Sequence, residues 1–129
     1  MKVLKVGIAS YEEMKSRTMA IARGEIKPLG GEPKVWFTSA ESFAKVLSER
    51  NRALLNVIAD SAPGTLTQLA ELTGRRKSNL SRTLKTMERY GFVVLKKGAR
   101  GTVTPKVPYQ AVSLVLPLKR GGKPRNRAA

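Results

Sequence analysis

Apolar positions along the chain alternate between an extended spacing and a helical one, and each change of spacing marks an element. Residues 2–9 (KVLKVGIA) carry the β-formers Val3, Val6 and Ile8 and predict a short strand, although the alternation is imperfect. The next four residues, SYEE, fit a capping box: the Ser10 hydroxyl accepts from the N–H of residue 13 while the Glu13 carboxylate reaches back. Behind it Tyr11, Met14, Thr18 and Ile21 recur at helical spacing, and Gly24 is a natural stop. Residues 25–34 (EIKPLGGEPK) hold two prolines and two glycines and read as a connector, after which VWF at 35–37 is a short β-prone run. Residues 1–38 therefore predict a small N-terminal β-α-β arm.

From Ser39 the helical period dominates. Phe43, Val46 and Leu47 share one face of a helix starting near Ala40, and Leu54, Leu55 and Ile58 share a face over 49–60. The pattern leaves open whether 40–60 is one bent helix or two short ones. Residues 65–74 (TLTQLAELTG) predict a short helix with Thr65 as N-cap, Leu66, Leu69 and Ala70 buried, and Gly74 as its stop. RRK at 75–77 leads into a helix running from 77 or 78 to Tyr90 and ending at Gly91. The period then becomes extended: FVVL at 92–95 predicts a strand, KKGARG at 96–101 a basic turn, and TVT at 102–104 the return. Residues 112–116 predict a further strand, pairing either with that hairpin or with the N-terminal arm. The last eleven residues, KRGGKPRNRAA, hold five cations and no apolar periodicity, and are expected to be disordered.

Charge divides the chain unevenly. Lys and Arg number 25 against 9 acidic residues in 129. Residues 1–74 hold 10 basic and 8 acidic side chains, whereas residues 75–129 hold 15 and 1. Such asymmetry points to a polyanion on the C-terminal half, against the blander reading of charge for solubility. An anionic membrane surface would favour a basic amphipathic helix with Trp or Phe on its apolar face, and the basic half has only Phe92 and two tyrosines. No apolar run approaches the ~20 residues of a membrane span. The apolar stretch at the N-terminus is broken by Lys5, too short for a signal peptide, so a cytoplasmic protein is expected.

The predicted order of helix, tight turn, helix and β-hairpin is that of a winged helix-turn-helix domain. The segment from Ser39 to about Tyr109 resembles the winged-helix transcription regulators of the MarR and ArsR type. The resemblance rests on TLTQLAELTG, SNLSRTLKTMERYG and FVVLKKGARG, and above all on the Leu-x-x-Met-Glu-x-x-Gly-Phe-Val pattern from Leu84 to Val93. Arg75 departs from it, standing where the simple helix-turn-helix pattern prefers an apolar residue. The resemblance implies a winged helix-turn-helix domain, placed at 39–118; with the arm at 1–38 and the basic tail at 119–129 read from the residues, the expected fold is α+β.

The long helix supports that reading on its own residues. At 100° per residue, Leu80, Leu84 and Met87 fall in one sector and form its core face. The opposite sector holds Ser78, Arg82, Lys85 and Arg89, with Asn79 and Thr86 on one shoulder, while Glu88 lies near the core side. Like charges three, four and seven apart repel without a counter-charge, which phosphates would supply. An α-helix fits the major groove of B-DNA, where Arg pairs with guanine and Asn with adenine. Ser78, Asn79 and Arg82 are the candidates for reading bases. Arg75, Arg76, Lys77, Ser81, Lys85, Thr86 and Arg89 are candidates for the phosphate backbone, which positions without specifying. Lys96, Lys97 and Arg100 are placed on the wing tip, with Arg100 a candidate for a narrow minor groove.

The chain has no His and no Cys, which removes imidazole-dependent triads, cysteine nucleophiles and zinc–thiolate sites. LGGEP and KKGARG lack the spacing of a Walker loop or a dinucleotide fingerprint. No enzyme activity, metal or cofactor is expected. The expectation is a sequence-specific regulator of double-stranded DNA acting as a homodimer, since one winged helix buries little surface. Residues 1–38 are the expected dimer or partner contact, with Trp36, Phe37, Tyr11 and Met14 as anchors. A rival reading is an antitoxin whose arm binds a toxin and whose winged helix binds its operator. An RNA-binding protein is disfavoured by the 5% aromatic content.

Overall fold

Ser10 and Glu13 close the expected capping box in the computed structural model, which describes residues 1–27 and 32–118. The Ser10 hydroxyl accepts from the Glu13 N–H at 3.1 Å and the Glu13 carboxylate accepts from the Ser10 N–H at 3.4 Å. The protein is mixed α and β, with five α-helices and two small sheets among the described residues. It divides into two compact units: Val3–Phe43 with the stretch from Ala111, and Ala44–Gln110. Residues 39–43 and 111–118, drawn by the sequence into the segment 39–118, thus group with the arm. The tail expected at 119–129 and part of the connector lie outside the described residues.

In the first unit, strand β1 (Val3–Ile8), helix α1 (Tyr11–Ala22) and strand β2 (Val35–Phe37) make the expected β-α-β sequence, with β1 and β2 parallel. Strand β5 (Ala111–Val115) completes the sheet on the other side of β1, also parallel, in the order β2-β1-β5. That settles the partner of the last strand: it is the arm, not the hairpin. Alternation puts Leu4 and Val6 on one face, both buried, in line with buried Phe37, whose ring meets Phe43 edge-on at 5.4 Å. On the opposite face Gly7 lies under Trp36, where a Cβ would come within 2.5 Å of the indole. The Arg17 guanidinium sits 5.8 Å from that ring and ion-pairs with Glu32. Of the four expected anchors, Phe37 is core, Trp36 and Met14 are half-buried, and only Tyr11 is well exposed.

The open question at 40–60 resolves as two helices, α2 (Ala40–Val46) and α3 (Glu49–Ser61). Ser48 breaks the run by capping: its hydroxyl accepts from the Asn51 N–H at 3.2 Å, and the Asn51 amide donates back to the Val46 carbonyl at 3.0 Å. Helix α4 (Leu66–Thr73) follows, capped as expected by Thr65, and ends at Gly74 in the left-handed region at φ 71°. Helix α5 (Lys77–Arg89) then leads to strands β3 (Val94–Lys97) and β4 (Val103–Lys106), an antiparallel hairpin. The core of this unit is Leu47, Leu54, Ile58, Leu66, Leu69, Leu80, Leu84, Met87, Phe92 and Val93.

The hairpin starts two residues later than the sequence suggested. Phe92 and Val93 are buried, and the Phe92 N–H donates to the Met87 carbonyl, so it closes α5 instead of joining a strand ladder. Pairing therefore begins at Val94, and the turn shrinks to residues 98–102, built on a short 3₁₀ turn at Ala99–Gly101.

Candidate nucleic-acid interface

Three fully buried side chains, Leu80, Leu84 and Met87, fix the roll of α5. Their stripe leaves Ser78, Arg82, Lys85 and Arg89 on the far side of the helix, and all four are exposed. Asn79, Arg76 and Lys77 are exposed as well, whereas Ser81 and Thr86 are half-buried. Thr86 spends its hydroxyl proton on the Arg82 carbonyl at 3.2 Å. The start of α5 has no side-chain cap, so its first N–H groups remain available to an acceptor from outside the helix.

Electrostatically this surface is unbalanced. Arg17–Glu32 and Arg23–Glu25 are ion pairs, both in the first unit. Among the described residues none involves α5 or the hairpin, and Glu88, exposed on α5 itself, pairs with none of its neighbours. Arg82, Lys85 and Arg89 thus stand as an exposed row of like charge.

Arg75 differs from the residues grouped with it. It is half-buried, and its Nε and Nη1 are buried without a hydrogen-bond partner among the described residues. Burial, and then the nearby Arg50 charge, lowers its guanidinium from the ordinary value. Its backbone N–H is held by the Thr73 hydroxyl at 3.2 Å, which in turn donates to the Leu69 carbonyl at 2.8 Å. The slot where an apolar residue was expected is thus partly closed over by the protein.

The residues expected at a wing tip also separate. Lys96 and Lys97 are consecutive on β3, so they point to opposite faces of the hairpin and not together at its tip. Only Arg100 sits in the turn, where it takes φ 59° and ψ 31°, a left-handed conformation that a side chain adopts at a cost of roughly 1–2 kcal/mol. The hairpin is anchored by the Thr104 hydroxyl, which donates to the Gly64 carbonyl at 2.7 Å, in the turn between α3 and α4.

A family model, HVO_A0114, matches residues 46–114, which is 69 of the 129 residues. The chain belongs to the HVO_A0114 family. No curated protein and no solved structure matches it. The HVO_A0114 segment takes in α3, α4, α5 and the hairpin whole, together with most of β5. It also contains basic residues that the sequence reading passed over. Lys106 is exposed on β4 opposite Val94, on the same hairpin face as Lys96. Arg50, on α3, lies near enough to Arg75 to perturb it. Strand register and helix packing bring these residues in, and neither is visible as a local pattern.

Proposed function

We propose that this HVO_A0114-family chain is a sequence-specific double-stranded DNA-binding protein of winged helix-turn-helix type, a transcriptional regulator and not an enzyme. In this reading α5 enters the major groove, Asn79 and Arg82 meet base edges with help from Ser78, and Arg76, Lys77, Lys85 and Arg89 hold phosphates. The hairpin lies along the backbone with Arg100 reaching for the minor groove. The reading implies work on duplex DNA in the cytoplasm, by two copies on a pseudo-palindromic site.

The observation that carries it is the exposed row Arg82, Lys85 and Arg89 on the side of α5 away from Leu80, Leu84 and Met87, with no ion pair among the described residues. A helix face that serves only solvation gains from mixed signs, and this one forgoes them. The strained Arg100 adds support, since backbone cost at an exposed tip suits a side chain used on a partner.

The test is selection of bound fragments from random duplex DNA, followed by binding titrations of wild type and Arg82→Ala on the selected and a scrambled duplex. The substitution should cost about 1–3 kcal/mol on the selected duplex and far less on the scrambled one. Unchanged binding of both duplexes would remove Arg82 from the reading face. Failure to enrich any sequence would remove the function.

A further inference from the structure

We propose that β5 is an interface between two copies of this chain, pairing antiparallel with its own counterpart about a two-fold axis at Ser113. The proposal concerns assembly and does not depend on the DNA reading.

The sheet β2-β1-β5 has two edges, and they differ in kind. β2 is three residues long and is preceded by Lys34, a short and charged edge of the type that discourages pairing. β5 is five residues of AVSLV, and no charge, glycine or proline interrupts it; Pro117 comes only after its end. Among the described residues no other strand pairs with its outer side, so every second peptide group of β5 points away from β1 with no ladder partner.

The side chains repeat the message. Val112 and Leu114 stand in register with Leu4 and Val6, which are buried, yet they remain 36% and 39% exposed, and Leu116 is 51% exposed. The buried face of the sheet therefore stops short at β5. A register centred on Ser113 is the one that pairs all five residues of the strand. It sets Val112 against Leu114 of the second copy, Ala111 against Val115, and Ser113 against Ser113. Val112 meets Leu114 on one face, Ala111 meets Val115 beside the serine pair on the other, and no like charges oppose. The result is one six-stranded sheet in which each copy contributes the same patch, the closed arrangement that a two-fold axis requires.

Charge bears on the occupant. Residues 1–43 and 111–118 hold 7 basic and 5 acidic residues, against 13 and 4 in residues 44–110, with the five cations of 119–129 counted in neither. Two copies repel where residues 44–110 meet each other, and AVSLV itself opposes no charge to a second copy.

The chain has no cysteine, so Ser113→Cys introduces a single thiol, and directly opposed strand residues lie within the Cα separation that a disulfide spans. With oxidised glutathione as electron acceptor, Ser113→Cys should yield a disulfide-linked dimer, whereas Ser16→Cys, exposed on α1, should not. Sedimentation equilibrium without DNA should give wild type twice the 14.1 kDa chain mass. Ser113→Glu, which opposes two carboxylates at the axis, should weaken the dimer about fivefold or more while leaving the circular dichroism spectrum intact. A wild-type chain that sediments as a monomer would overturn the proposal and leave β5 for a different protein. So would a dimer indifferent to Ser113→Glu, or cross-linking no faster in Ser113→Cys than in Ser16→Cys.

Discussion

Arg75 and Arg76 are neighbours in sequence and opposites in setting. Arg76 is exposed at the start of α5, while Arg75 tucks two guanidinium nitrogens out of solvent with no acceptor among the described residues. A buried donor without a partner forfeits its hydration and gains nothing in exchange, so those two nitrogens are a burden to the folded state. Replacing it with an apolar residue of similar reach removes that burden. Arg75→Met should leave stability unchanged or raise it by about 1 kcal/mol in urea unfolding. It should also weaken duplex binding less than Arg76→Ala does. A clear loss of stability would mean that the guanidinium is held by an acceptor after all. Arg100 shows the reverse arrangement, an exposed side chain on an unfavourable backbone at the hairpin turn.

Among elements, helix ends are decided locally and strand partners are not. Thr65 accepts from the Gln68 N–H at 3.1 Å, and the Gln68 side chain accepts from the Gly64 N–H at 2.7 Å, so two residues fix the entry to α4. Thr65→Ala should cost about 1 kcal/mol, read as a lower urea midpoint at constant slope. Caps of this kind span three or four residues, which is why Ser10, Thr65 and the roll of α5 were legible from spacing alone. The break between α2 and α3 was not, because it depends on Asn51 reaching back to Val46 as well as on Ser48. Nor was the partner of β5, which lies more than a hundred residues away on β1. At the candidate site, the exposed face of α5 followed from its 3.6-residue period. The burial of Arg75, the splaying of Lys96 and Lys97, and the addition of Lys106 needed packing and register.

For the molecule as a whole, the distribution of charge sets how the proposed DNA binding should respond to salt. Residues 119–129 carry five cations and no anion. Their deletion should weaken selected and scrambled duplexes alike and lower the slope of log affinity against log salt by at most about 4.5. Lost sequence preference at an unchanged slope would contradict that role. The order of strands carries a second consequence. Since β1 lies between β2 and β5, and β5 comes from the far end of the chain, the ribosome releases α3, α4, α5 and the hairpin before the central strand can acquire its last neighbour. The basic half is thus free to fold while the N-terminal sheet waits half-built. A stall in synthesis just before residue 111 would leave a nascent protein with Ala44–Gln110 fully made and the flank of β1 bare.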